Sequence, residues 1–118
     1  MSDLPYLDTQ HLLTFGEALT AYHSARLHDP DRRWRSLLYL VTLTPYLWDA
    51  AQGGIDFEGD HADLSGVTGV TAGEALVLDV AAHLFSGEGA VDLVTLADGL
   101  DDEVWEIVLA AVNIFRDG

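Results

Sequence analysis

The fold is decided by residues 34–48, which read WRSLLYLVTLTPYLW and are apolar on nearly every side of a helix. A helix of this kind lies either at the centre of a fold or in an oligomer interface. Pro45 lacks a backbone donor and crowds the carbonyl four residues earlier. We therefore expect the segment to kink or break near Leu43.

Further helices are predicted on both sides of this stretch. The first is predicted over residues 9–27, because large apolar residues recur every three or four positions at Leu12, Phe15, Leu19 and Tyr22. Thr71 and Glu74 form a capping-box pattern that predicts a helix over residues 72–85. Two more helices are predicted over residues 92–98 and 102–116, with Asp101 as the N-cap of the second.

Together these segments predict an all-α fold, a compact bundle of about four to five helices in a single domain, 1–118. Residues 1–7 are predicted to form a flexible N-terminal arm. Residues 55–70 (IDFEGDHADLSGVTGV) are rich in Gly and Asp and predict one long irregular loop. A short helical turn is expected near residues 62–65, with small β-bridges at residues 67–70 and 90–91.

The charge of the chain is unusual. Its 118 residues include 20 acidic and 5 basic residues, a formal net charge of −15, and neither lysine nor cysteine. No basic residue occurs from position 36 to position 115, although 14 acidic residues do. Such a surface repels nucleic acids and anionic membranes, so we expect neither as a direct partner.

Three explanations of the acidity stay open. It suits a GC-rich genome, a high-salt cytoplasm, or a surface that binds a basic partner. The N-terminus lacks a basic start followed by an apolar run, and no apolar stretch is long enough for a transmembrane helix. The expected location is therefore the cytoplasm.

The acidic stretch at Asp56, Glu58 and Asp60 resembles the start of a calcium-binding loop in its spacing. His61 then occupies the position that needs glycine, and Val67 the position that needs a bidentate glutamate. The five histidines form no pair at metal-binding spacing. No metal and no cofactor is therefore expected.

Catalysis is a minor alternative. Asp79 and His83 are four residues apart on one helix, where the carboxylate could orient the imidazole as a base. A second possibility groups His61 with Asp60 and Asp63. The sequence has no nucleophile elbow and no phosphate-binding loop.

The favoured hypothesis is a non-enzymatic interaction protein that binds a basic, nucleic-acid-binding protein. Its extreme form is a nucleic-acid mimic, like the small inhibitors that phages and mobile elements encode. The predicted acidic face comprises Asp56, Glu58, Asp60, Asp63, Asp98, Asp101, Asp102, Glu103 and Glu106.

Two further features of the sequence bear on partners. The first is a basic cluster, Arg32, Arg33 and Arg35, which is expected to pair with the chain's own carboxylates. Its alternative role is contact with an acidic partner or a phosphate. The second is the apolar segment 34–48, through which the chain would form a homo-oligomer as a structural subunit.

Overall fold

The computed structural model describes residues 4–118, which form six helices and one two-stranded hairpin. The all-α prediction is confirmed. The elements are α1 (Thr9–Arg26), α2 (Arg32–Val41), α3 (Pro45–Gln52), β1 (Ile55–Asp56), β2 (His61–Ala62), α4 (Ala72–Ser86), α5 (Leu93–Gly99) and α6 (Asp102–Asp117). None of the helices in this part of the chain is long and apolar enough to cross a bilayer.

Helix α2 is the centre of the structure. From Trp34 to Val41 every side chain except Arg35 is buried. Helices α4 and α6 pack along it, and α1 covers another side. Phe85 and Phe115, near the ends of α4 and α6, meet the beginning of α2, so both of these helices run antiparallel to it.

The predicted break before Pro45 is confirmed. Helix α2 ends at Val41, and α3 begins at Pro45 with the Thr44 hydroxyl accepting a hydrogen bond from the Leu47 N–H. Proline suits this first helical position, where its missing N–H has no partner to lose. The single predicted segment is therefore two helices, which raises the total to six.

The segment named in the homo-oligomer hypothesis, residues 34–48, is largely buried within the chain. Its apolar side chains are covered by the chain's own helices, and Tyr46 is the large apolar residue of the segment that is strongly exposed. An all-round apolar helix suits a fold centre as well as it suits an interface. Here it forms the fold centre.

The loop 55–70 differs from its prediction. Residues 55–56 pair with residues 61–62 as an antiparallel hairpin, whereas no helical turn forms at 62–65 and no bridge forms at 67–70 or 90–91. Asp56 turns the chain by accepting a hydrogen bond from the Gly59 N–H. Gly54 allows the backbone of residue 63 to approach closely, because a Cβ on Gly54 would lie 1.8 Å from the Asp63 carbonyl oxygen.

Residues 4–7 fall within the predicted flexible arm, yet Leu4, Tyr6 and Leu7 pack against the core. The Tyr39 hydroxyl donates a hydrogen bond to the Pro5 carbonyl and attaches this segment to α2. Residues 4–7 are therefore held against the core and do not form a flexible arm. The rest of the predicted arm, residues 1–3, lies outside the described part of the chain.

His11 is fully buried at the junction of this segment with α1 and α2. Its Nδ1 accepts a hydrogen bond from the Leu7 N–H at 3.1 Å, and its Nε2–H donates to the Tyr39 carbonyl at 2.8 Å. Only the neutral imidazole can make both bonds, because Nδ1 must keep its lone pair to accept from Leu7. Burial lowers the pKa of His11, and this outweighs the opposing effects of the Tyr39 carbonyl and the Asp8 carboxylate.

We expect His11 to make the fold less stable in mild acid. Because its pKa is lower in the folded state, its contribution is complete above the unfolded pKa of about 6.5 and is lost as the pH falls towards the folded value. The measurement is urea unfolding of the wild type and of His11→Gln from pH 8 to pH 5. The stability difference between them should shrink as the pH falls, and a difference that stays constant would contradict this role.

Candidate functional site

The fold brings all five arginines of the chain to one end of the molecule, here called the arginine end. Arg32, Arg33 and Arg35 lie in the first turns of α2, and Arg26 ends α1. Because α6 runs antiparallel to α2, its last turn returns Arg116 to the same end. The chain has no Lys or Arg from position 36 to position 115, so the rest of the molecule carries acidic residues without arginines among them.

Asp60 is the centre of the contacts at the arginine end. One carboxylate oxygen accepts a hydrogen bond from the Trp34 indole N–H at 2.7 Å, and both oxygens lie 3.0 Å from Nη2 of Arg33. Nη1 of Arg26 lies 3.4 Å from the same carboxylate and donates to the Phe57 carbonyl. One acidic side chain thus joins the hairpin to both α1 and α2.

Asp60 differs from the other acids of the predicted acidic face because its carboxylate is ion-paired within the chain. The Trp34 indole N–H and the Arg33 guanidinium hold the pKa of Asp60 below its usual value. Its φ of 55° is left-handed, a conformation that Asp tolerates better than most residues. Its side chain is 43% exposed, and Arg33 and Arg26 partly balance its charge.

The other acids of the loop differ from one another in the hydrogen bonds that they accept. Asp56 accepts from the Gly59 N–H, and Asp63 accepts from both the N–H and the hydroxyl of Ser65. These Ser65 hydrogen bonds lower the pKa of Asp63. Among the loop acids, only Glu58 makes no hydrogen bond or ion pair to residues 4–118.

The basic cluster meets its expected partners only in part. Arg33 pairs with Asp60 and Asp31, as predicted. Arg32 lies over the Phe115 ring, 4.4 Å from its centroid, and Arg35 forms no ion pair with the described residues. The Nε of Arg35 is buried without a hydrogen-bond partner there.

An open cleft of about 640 Å³ lies at the arginine end, between the beginning of α2 and the ends of α4 and α6. Arg32, Arg33 and His83 line it, together with Phe85 and Phe115. Its positive charge is reduced because Arg33 is paired with Asp60 and because Asp31 also lines it. The cleft is therefore nearly balanced in charge.

The remaining predicted acids lie together at the opposite end. They form what we call the α5–α6 acidic surface, which comprises Asp98, Asp101, Asp102, Glu103 and Glu106. All five are exposed, and none forms an ion pair within residues 4–118. From Asp102 to Phe115 helix α6 rises about 20 Å, which separates this surface from the arginines. The predicted acidic face is thus two groups in different surroundings.

Exposed apolar residues on α6 are a feature that the sequence analysis did not identify. Leu109 and Val112 are 41% and 42% exposed, whereas Ile107, Val108 and Ala111 of the same helix are buried. The signal was available in the sequence. Both residues lie outside the buried stripe of the helix and do not contribute to the core. That stripe comprises Val104, Ile107, Val108, Ala111 and Ile114.

In neither catalytic alternative does the histidine form a hydrogen bond or ion pair with its acids among residues 4–118. Asp79 is exposed, and His83 donates its Nδ1–H to the Glu88 carbonyl at 2.9 Å. Asp60, the proposed companion of His61, is engaged by Trp34 and Arg33. Among residues 4–118 no three His, Asp or Glu side chains are grouped so that they could hold a metal ion.

Comparison with known proteins returns no match to any family model, to any curated protein or to any solved structure.

We expect Asp60→Asn to destabilise the fold by about 1–2 kcal/mol. It removes the charge that Arg33 and Arg26 share, a loss reduced by the partial exposure of the carboxylate, and it keeps an acceptor for Trp34 and a side chain that tolerates the left-handed backbone. Urea unfolding followed by tryptophan fluorescence measures the change. Glu58→Gln is the control and should change stability by less than about 0.5 kcal/mol. Equal effects of the two substitutions would contradict the central role of Asp60.

Proposed function

We propose that the protein is a non-enzymatic interaction protein whose α5–α6 acidic surface binds a basic surface of another protein. The observation that carries the proposal is the separation of charge. Every arginine of the chain lies at one end, and the five acids of this surface lie at the other without a cation among them.

This arrangement suits recognition of a basic partner for a physical reason. A carboxylate already paired within the chain offers little to a partner, whereas unpaired exposed carboxylates attract cations over a range set by the ionic strength. The loop acid Asp60 belongs to the first kind. Asp102, Glu103 and Glu106 belong to the second and are grouped at the beginning of α6, so we take them as the binding surface.

The finer form of the proposal is a nucleic-acid mimic. Acids at Asp102 and Glu106, one helical turn apart, form a row of negative charge along α6. A protein that binds the phosphates of a nucleic acid through Lys and Arg could use the same side chains here. The mimic would then compete with the nucleic acid for its partner.

The test begins with retention of partners from cell extract on the immobilised protein, followed by affinity measurements with the purified partner. We expect the affinity to fall steeply between about 0.05 M and 0.5 M salt. Neutralising three acids of the surface, as Asp102→Asn, Glu103→Gln and Glu106→Gln together, should weaken binding about tenfold or more. Asp101 is kept because it caps α6.

A matched control removes the same amount of charge elsewhere. Glu17→Gln, Asp49→Asn and Glu58→Gln together neutralise three exposed acids that form no ion pair within the described residues. We expect this triple variant to bind within about threefold of the wild type. Binding that ignores salt, or an equal loss in the two triple variants, would refute the proposal. A partner that duplex DNA or RNA does not displace would refute its mimic form alone.

A further inference from the structure

The exposed side of α6 divides lengthwise into two strips of different chemistry. Since successive helical residues are about 100° apart, Leu109 and Val112 share one side of the exposed face with Trp105. We call these three residues the apolar strip. Asp102 and Glu106 lie beside it, Glu103 lies further round the helix, and these three residues form the acidic strip.

Two of the three residues of the apolar strip do not contribute to the hydrophobic core. Trp105 is half-buried and packs against the core, whereas Leu109 and Val112 lie outside the buried stripe of the helix. Neighbouring exposed apolar residues that are bordered by charge are typical of a contact surface, whereas single scattered ones are not. The strip is therefore a surface that a partner can cover.

We propose that this face of α6 docks one amphipathic helix of a partner protein, with an apolar stripe bordered by Lys and Arg. The proposal rests on the proposed function and adds the form of the partner. The partner's apolar stripe would cover Leu109 and Val112, while its cations would face Glu106 and Asp102. A helix fits because residues three and four apart on α6 form ridges and grooves that another helix can fill.

Charge complementarity argues for this occupant over a second copy of the chain. Two copies meeting through parallel α6 helices would bring their acidic strips together, and antiparallel helices would set the single Arg116 against three acids. In either orientation each copy carries a formal net charge of −15. Arg116 is the one cation of α6, and it lies at the opposite end of the helix from the acidic strip. A basic helix removes this repulsion and leaves the apolar contact in place.

The charge along α6 also sets the charge pattern of the partner. Three acids lie in its first two turns, Leu109 and Val112 follow, and its last turn carries both Arg116 and Asp117. From Asp102 to Val112 the helix rises about 15 Å, so a partner helix of about three turns covers the face. Its Lys and Arg should be concentrated at the end that meets Asp102 and Glu103.

The probe is a synthetic peptide of about 18 residues, without tryptophan, in which leucines at helical spacing are bordered by lysines. A scrambled peptide of identical composition carries the same charge without an apolar stripe. Trp105 reports binding through its fluorescence, because Trp34 and Trp48 are buried. We expect the amphipathic peptide to bind at least about tenfold more tightly than the scrambled one.

Two double variants locate the contact. Leu109→Gln with Val112→Gln should weaken binding of the amphipathic peptide about tenfold or more. Leu12→Gln with Leu13→Gln is the matched control, since these residues of α1 are 47% and 55% exposed, and it should leave the affinity unchanged. Glutamine is a good helix former, so both variants should keep their fold, which the melting temperature checks.

The outcomes separate this inference from the proposed function. Failure of the amphipathic peptide to bind, equal binding of the scrambled peptide, or equal effects of the two double variants would overturn the docked helix. A natural partner that is weakened by the acid-neutralising triple variant, but not by Leu109→Gln with Val112→Gln, would also overturn it while the proposed function stands. A natural partner that is insensitive to the acids would refute the proposed function itself.

Discussion

The structure depends on the enclosure of α2. A helix that is apolar on all sides cannot face water on any of them, so other elements must cover it completely. Helices α4 and α6 supply two of these covers and α1 supplies another. Because α4 and α6 both run antiparallel to α2, the beginning of α2 meets the last turns of both. This one requirement places Phe85 and Phe115 beside the arginines of the first turn.

The same geometry determines where charge can accumulate. Arg33 and Trp34 at the beginning of α2 need acceptors at the edge of the core, and Asp60 satisfies both groups from the hairpin. The arginines are thereby kept at one end and are partly used by the fold itself. At the other end Asp101 caps α6, while Asp102 and Glu103 lie where the positive end of the helix dipole favours them. Local stabilisation of the helix and exposure of negative charge therefore occur together.

The local parts of this structure were predictable from the sequence and the long-range parts were not. Helical periodicity, the capping residues Thr71 and Asp101, and the break before Pro45 depend on neighbours within a few positions. The hairpin at residues 55–62 has strands of two residues, too short for any alternation to be visible. The binding of Asp60 to Trp34 joins residues 26 positions apart. The exposure of Leu109 depends on which side of α6 meets α2.

Charge that is balanced at one end of the molecule and uncompensated at the other gives it an electric dipole moment. A basic partner of the kind we propose would exert a torque on such a dipole before any atoms touch, and would turn the acidic end of α6 towards its own positive surface. The return of Arg116 to the beginning of α2 contributes to this dipole. With such a partner, the dipole would favour encounters in which the acidic end of α6 meets the positive surface.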